Sequence, residues 1–313
     1  MKFRDMKCCA CGSAENRLFC AAVDRLHGIA GTFHYVRCSG CGIIYQNPQV
    51  APEDIPSLYP ASYEPWKEAV SIRPAPPLWK QVLRNLFTIT GLPSFVQEKL
   101  NAGGRLLDIA CGNGRFMARI ASEHPKAKVE GLDFSPQAVD VVRTNLGLTA
   151  HTGTLQDVAP ALGKFDVLTM WWYLEHEPDP REILRLCHQL LAPDGVLAIG
   201  VPHARSTNCV VFRDRWFHLD PPRHLWIFSD TVLKRLLTET GFKPVAVRYD
   251  PSPWGILGSL QYVFKGRIDG IESSWLNSRL LKLLFRPITL LQSLFRVSDT
   301  IAVYAKVEDI GKS

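Results

Sequence analysis

The sequence predicts an α/β protein, built on a doubly wound, mostly parallel sheet with helices on both faces and preceded by a small metal-binding ribbon. Three observations carry that prediction. Apolar strand candidates alternate with helical patterns from residue 105 onward, two Cys-x-x-Cys-Gly units open the chain, and a glycine-rich turn joins the first strand to the first helix of the alternating region. The 313 residues are 46% hydrophobic and 21% charged with a mean hydropathy of −0.01, so the chain can bury a full core. Disordered, collagenous and small disulfide-stapled classes are excluded. No uncharged apolar run reaches about 18 residues and the start MKFRDMKCCACG has no h-region. A cytoplasmic protein without membrane span or signal peptide is expected.

The ribbon comes first in the chain. Six of the nine cysteines fall within the first 41 residues, and Cys8, Cys11, Cys38 and Cys41 form two identical spacings, each followed by glycine (Gly12 and Gly42). Two residues between thiolates let one tight turn present both sulfurs to a single ion at about 2.3 Å, and tetrahedral zinc needs two such turns. The run Thr32-Phe33-His34-Tyr35-Val36-Arg37 between the pairs alternates like a ribbon strand. Disulfides are disfavoured in a reducing cytosol, and a thioredoxin-like dithiol needs one such unit rather than two. Four thiolates close the coordination shell, so the expected zinc is structural. Cys9 can replace Cys8, although the repeated spacing favours Cys8. Cys20, Cys187 and Cys209 are isolated and read as buried small apolar residues.

The predicted organisation is a zinc-ribbon domain at 1–50, a proline-rich connector and helical cap at 51–100, and an α/β domain at 101–313 with an insert at 251–298. The connector carries prolines from 48 to 77 with Tyr59, Tyr63, Trp66 and Trp79 between them, and a helical stretch follows around 78–100. The strand candidates are Arg105–Ile109, Lys128–Phe134, Leu148–Gly153, Phe165–Trp171, Val196–Val201, Pro244–Tyr249 and Thr300–Val307. Near-continuous apolar strands alternating with helices argue for a parallel sheet covered on both faces. The helix at 181–192 shows the pattern: Ile183, Leu184, Leu186, Cys187, Leu190 and Leu191 make one stripe, and Pro193-Asp194-Gly195 ends it.

Leu106-Leu107-Asp108-Ile109-Ala110-Cys111-Gly112-Asn113-Gly114 reads strand, tight turn, helix. Gly112 and Gly114 allow a ligand close to the backbone, and the context is that of a nucleoside-cofactor loop. Asp133 ends the next strand, 21 residues beyond Gly112, where a carboxylate can accept both ribose hydroxyl protons. A dinucleotide fingerprint would need glycine at Met117, and no Walker sequence occurs. Asp108, two residues before the turn, suits a cofactor with an α-amino group and positive charge. S-adenosylmethionine has both.

In these stretches, and in Phe165-Asp166-Val167-Leu168-Thr169-Met170-Trp171-Trp172-Tyr173-Leu174-Glu175-His176-Glu177-Pro178-Asp179-Pro180, the chain resembles the class I S-adenosylmethionine-dependent methyltransferases, specifically a ubiquinone-methyltransferase-like group with an N-terminal zinc ribbon. The resemblance covers essentially the whole chain and implies a seven-stranded, Rossmann-like sheet. Ala110 stands where that family usually has glycine. The resemblance implies that Ala110, Cys111, Gly112, Asn113 and Gly114 line the methionine part, that Asp133 with Phe134 meets the ribose, and that Gly153-Thr154-Leu155 runs along the adenine, with Asp108 completing the set. It also implies that Thr300–Val307 runs antiparallel at the sheet edge beside the strand at 244–249.

A sulfonium methyl is already activated, so alignment with an acceptor is the main task, and a base is needed only for a neutral hydroxyl, phenol or carbon acid. His176, after the fourth strand, and His218 and His224, after the fifth, reach the crevice at the strands' carboxyl ends and are the catalytic candidates. Each also has a structural reading, as a pocket-floor or lid anchor. His218, Asp220 and His224 are metal-ligand types, but Pro221-Pro222 argues against shared geometry. Trp171, Trp172 and Trp216 read as pocket walls or core.

The net charge is +6 with a pI near 8.8. Eight Lys/Arg against three acids fall between 243 and 296, while residues 1–60 carry six basic against five acidic residues. That near-neutral ribbon argues against a nucleic-acid partner, the reading that would make this an RNA-modifying zinc-ribbon protein. A nicotinamide-dependent oxidoreductase is weakened by Met117. In 275–297, Leu276, Leu280, Leu283 and Leu284 form one face of a helix and Arg279, Lys282 and Arg286 another, with Pro287 expected to break it. This segment is either a lid packing its leucines onto the sheet domain or a peripheral membrane contact. The expected enzyme methylates an O or C nucleophile of a small-molecule acceptor, lipid- or glycan-linked acceptors included; the sequence assigns no oligomeric state.

Overall fold

The computed structural model describes residues 1–59, 70–268 and 274–308. Pro60, Tyr63, Pro65 and Trp66 of the connector, and the acids Asp269 and Glu272, lie outside the described residues. In chain order the strands are β1 (Phe3–Arg4), β2 (Asn16–Ala22), β3 (Phe33–Cys38), β4 (Ile44–Gln46), β5 (Gln49–Val50), β6 (Arg105–Ile109), β7 (Lys128–Asp133), β8 (Thr149–Thr152), β9 (Phe165–Trp171), β10 (Leu191–Pro202), β11 (Trp226–Ile227), β12 (Phe242–Tyr249) and β13 (Thr300–Val307).

Among the described residues, β12, β13, β10, β9, β6, β7 and β8 form one seven-stranded sheet in that order. From β10 to β8 all neighbours are parallel, and β13 is antiparallel to both β10 and β12. Period-two alternation divides the core between the two faces. Leu107, Leu168, Ile199 and Val303 pack with Ile183, Leu184, Leu233 and Leu236 on one side. Leu106, Val167, Ala198 and Ala302 pack with Val96, Met117, Ile120 and Val139 on the other. The chain runs from β6 outward through β7 and β8, then returns to β9 and β10 on the other side. That reversal opens a crevice beyond the carboxyl ends of β6 and β9.

Two expectations are corrected here. Thr300–Val307 does not run at the sheet edge; β13 lies between β12 and β10, and β12 takes the edge. Six consecutive buried residues in β13 need neighbours on both sides, whereas in β12 only Phe242 is buried. Nor does Pro287 end its helix, which runs unbroken over Arg279–Leu294. The donor lost at Pro287 is offset by anchorage in the following turns, where Thr289 Oγ1 donates to the Pro251 carbonyl at 2.6 Å and Ser293 Oγ to the Tyr249 carbonyl at 2.6 Å.

The N-terminal antiparallel sheet has the order β11-β4-β3-β2, so its edge strand comes from residues 226–227, far along the chain. Tyr45 of β4 stacks on Trp226 with ring centroids 5.4 Å apart. Arg181 adds two hydrogen bonds, from Nε to the Cys9 carbonyl and from Nη2 to the Ala10 carbonyl, each 2.7 Å. Edge-strand pairing and the Arg181 bonds thus fasten the ribbon to the rest of the chain.

Candidate active site

The turn after β6 reverses sharply, and its backbone shows how. Ala110, Gly112 and Gly114 have φ of 58°, 52° and 77°. A Cβ on Gly114 would lie 2.6 Å from Leu146 Cδ1, so glycine is required there by packing as well as by φ. Ala110 adopts the left-handed conformation with a side chain, at a cost of about 1 to 2 kcal/mol. The helix after the turn, Arg115–Glu123, rests on β7 through Met117. A Cβ on Gly131 would sit 2.6 Å from Met117 Sδ, so the close approach of helix and strand is supplied by a strand glycine rather than a helix glycine.

Asp133 is buried at the end of β7, and its two oxygens accept N–H bonds from Gly112 (2.9 Å) and Ser135 (2.9 Å). Asp108 is buried beside it and accepts from Thr169 Oγ1 at 2.6 Å. Burial pushes the Asp108 carboxyl up to about 7 against the opposing effects of Thr169 and Arg119, and burial also raises Asp133. Two desolvated acids at one turn form a pocket suited to a ligand bearing hydroxyl and ammonium donors. Of the sequence-predicted cofactor residues, all except Gly114 line one crevice of ≈1100 Å³, which has room for a nucleoside cofactor and a second molecule. Gly114 lies behind it, shaping the turn.

The predicted catalytic histidines line the same crevice. His176 and His224 meet edge to face, with ring centroids 4.6 Å apart. His176 Nδ1 lies 3.0 Å from the Arg223 carbonyl and 3.0 Å from Tyr59 Oη, and His224 Nδ1 lies 2.9 Å from the His218 carbonyl. Carbonyl oxygens only accept, so the network assigns the proton of each ring to Nδ1 and leaves Nε2 as a lone pair. Burial, with a second imidazole beside it, holds His176 neutral with its pKa near 3. His218 acts on this pair through its backbone; its own ring packs on Trp216 and Phe217.

Asp24, Arg223 and Asp299, which the sequence reading gives no role, hold this arrangement together with Asp220 and the tryptophans. Arg223 is buried between Asp24 and Asp220, and burial, which would raise the Asp220 carboxyl, is outweighed by the guanidinium. Asp220 and Trp172 both line the crevice with left-handed backbones, φ 40° and 55°. Asp299 accepts from Ser206 Oγ, Asn208 Nδ2 and Trp216 Nε1 at 2.6, 2.7 and 2.8 Å. Trp216 is thus core, whereas Trp171 and Trp172 are crevice wall. His224 is legible as crevice-facing, but nothing in the sequence marks Asp24 or Tyr59 as partners of the segment that carries it.

The four cysteines converge as their spacing predicts. Cys8 Sγ lies 3.5 Å from Cys41 Sγ and Cys11 Sγ 3.5 Å from Cys38 Sγ, and all four sulfurs lie within 4.8 Å of one another. A tetrahedral zinc with bonds of about 2.3 Å needs sulfurs about 3.8 Å apart. Gly12 and Gly42 take φ 74° and 79°. Cys9 stands outside the group.

The helix Arg279–Leu294 departs from the lid expectation. Leu280, Leu283 and Leu294 are 75%, 72% and 73% exposed, and the side facing the protein buries Thr289 and Gln292 instead. Helix Leu78–Phe87 buries none of its residues and exposes Leu78, Trp79, Val82, Leu83 and Leu86. Between these helices a groove of ≈530 Å³, with Leu83, Phe87 and Arg286 in its wall, meets the crevice at Trp172, Asp250 and Ser252.

The family described as methyltransferase domain matches residues 79–247, more than half of the chain. The ubiquinone biosynthesis O-methyltransferase of Actinobacillus pleuropneumoniae serotype 7 is 37% identical over 115 residues, 33% of this chain and 48% of that protein. The enzyme of the same name from Xanthomonas oryzae pv. oryzae is 35% identical over 116 residues, 34% of this chain and 46% of that protein. The chain thus spans about half the length of the curated relatives it matches. Burkholderia thailandensis 1,6-didemethyltoxoflavin-N1-methyltransferase, solved with 1,6-didemethyltoxoflavin and S-adenosylhomocysteine, aligns at TM-score 0.47 and 16% identity, covering 90% of this chain and 99% of that one. From the family match, the chain belongs to the methyltransferase-domain family, in its class I, S-adenosylmethionine-dependent form.

Proposed function

We propose that this protein transfers a methyl group from S-adenosylmethionine to an oxygen or carbon nucleophile of a small-molecule acceptor with an apolar tail. The observation that carries the reading is the pair of buried carboxyls, Asp108 and Asp133, at the turn where backbone can approach a ligand closely. Bound S-adenosylmethionine supplies a methyl group already activated on sulfonium. Asp133 is the acceptor for ribose hydroxyls, Asp108 the counter-ion for the ammonium, and Thr154 and Leu155 the adenine wall. Trp171, Trp172 and Phe217 keep water out of the crevice. His176, neutral and lining the crevice, helps to position the acceptor's nucleophile. His224 orients the acceptor, His218 steadies the His224 ring through its backbone carbonyl, and the Asp24-Arg223-Asp220 group fixes the loop that carries both.

The four thiolates fit zinc, which would tie the two turns at residues 8–11 and 38–41 and leave no open coordination position, so its part is structural. The domain division that accords with this reading is a ribbon at 1–50, a connector and cap at 51–100 and a methyl-transfer domain at 101–313 with its insert at 251–298. Among the described residues no helix is long and apolar enough to cross a membrane. We place the protein in the cytoplasm, where thiolates stay available to metal, and at the surface of an anionic bilayer. The exposed leucines of 279–294 and apolar residues of 78–87 supply insertion, and Lys80, Arg279 and Lys282 complement anionic headgroups. The groove between the two helices then leads an acceptor's tail from the bilayer to the crevice.

Incubation of the protein with methyl-labelled donor and a lipid extract tests the reading. Label should appear in an organic-soluble product with the wild type and not with Asp133→Ala; absence of labelled product with the wild type across lipid and aqueous extracts refutes it.

A further inference from the structure

Glu175 is fully buried, and neither of its carboxylate oxygens has a hydrogen-bond partner. Such a group is costly unless something else meets it. Glu175, His176 and His224 each bring one ligand atom to within 4.8 Å of the others. His224 Nε2 faces Glu175 Oε1 at 3.9 Å, and its Nδ1 is tied to the His218 carbonyl at 2.9 Å. His176 Nδ1 is likewise held at 3.0 Å from the Arg223 carbonyl. Rings anchored by one nitrogen on backbone carbonyls present the other as a lone pair, which is how metal-binding histidines are oriented.

The electrostatics point the same way. Arg223 is outnumbered by Asp24 and Asp220, so an ionised Glu175 leaves the region with two uncompensated negative charges. One of these acids, Asp220, has Oδ2 3.8 Å from His224 Nε2. A dication balances it.

We infer that Glu175, His176 and His224 form a second metal site, separate from the four cysteines, that takes a divalent transition-metal cation of the zinc, iron or manganese class. Two imidazoles and one carboxylate suit such an ion and leave coordination positions open, unlike the closed set of thiolates. The site lies in the crevice wall, where His176 and His224 face the space left for the acceptor. Its existence is independent of the methyl-transfer reading; its role rests on that reading. There the ion binds the acceptor's hydroxyl oxygen and lowers its pKa, and the proton leaves to solvent. The oxygen then forms the bond to the methyl carbon as the carbon–sulfur bond breaks and its electron pair stays on sulfur.

The full-length protein, purified with its cysteine site loaded with zinc, is titrated with cobalt(II) and followed by absorption, with metal content counted by mass spectrometry. The wild type should take up one cobalt per chain with d–d bands and no thiolate charge-transfer band, while retaining one zinc. Glu175→Gln and His224→Gln should each weaken that uptake at least tenfold and keep the zinc. Absence of a cobalt site in the wild type overturns the inference without recourse to any variant, as does undiminished uptake by both variants. S-adenosylhomocysteine binding, measured in parallel, separates the two readings: cobalt bound without it supports the site and removes its proposed role.

Discussion

Arg223 grips Asp24 through two hydrogen bonds, Nη1 to Oδ2 at 3.0 Å and Nη2 to Oδ1 at 3.1 Å, across 199 residues of sequence and with both side chains buried. The same guanidinium bonds Asp220 through Nε (3.0 Å) and Nη2 (2.6 Å), and its backbone carbonyl positions His176. One residue thus joins the ribbon, the loop after β10 and the histidine pair.

Removing that charge strands two buried carboxylates. Arg223→Met should destabilise the protein by about 3 to 5 kcal/mol, visible as a lowered urea midpoint. The double variant Arg223→Met/Asp24→Asn should recover part of the loss, because one stranded charge is gone. Equal midpoints for wild type and Arg223→Met would show that the pair contributes nothing.

With Asp108 as the proposed counter-ion of the cofactor's ammonium, binding should depend on pH. Its carboxyl titrates near 7 because it is buried, so below that pH the free protein carries a proton that must leave when an ammonium group arrives. S-adenosylhomocysteine affinity should therefore rise by up to about tenfold per pH unit towards pH 7 and level off above it. Asp108→Asn should bind more weakly and show a flat profile. Calorimetry from pH 5.5 to 8.5 checks both; a wild-type affinity independent of pH would count against the ammonium contact.

The exposed leucines make membrane association testable without threatening the fold. Co-sedimentation with vesicles rich in phosphatidylglycerol should retain the wild type at low salt and lose it as salt rises. Leu280→Asp/Leu283→Asp should reduce retention about tenfold with a change of less than about 0.5 kcal/mol in stability, since both side chains are already in water. No retention on anionic vesicles at low salt would remove the bilayer from the account.

Much of this architecture is written locally in the chain. Phe165–Trp171 is apolar almost throughout, as a central parallel strand is, and Gly112 and Asp133, paired by type and spacing in the sequence, are joined by a hydrogen bond of 2.9 Å. What depends on distant partners was not legible. An apolar strand reads alike at a sheet edge or one place in from it, so β13 was misplaced. Helical periodicity gives two faces and not which one is buried; in 279–294 it is Thr289 and Gln292 that pack inward. Tyr59 reaches His176 across 117 residues, from a connector whose prolines reveal only that it is irregular.

The central claim is that the turn after β6 and the carboxylate of β7 hold an adenosyl cofactor. Isothermal titration of S-adenosylhomocysteine into wild type and Asp133→Asn, with NADH as the control ligand, tests it most directly. We expect one site per chain in the wild type, at least a tenfold loss of affinity in the variant, and no binding of NADH; equal affinity in the two proteins, or preference for NADH, would contradict the account.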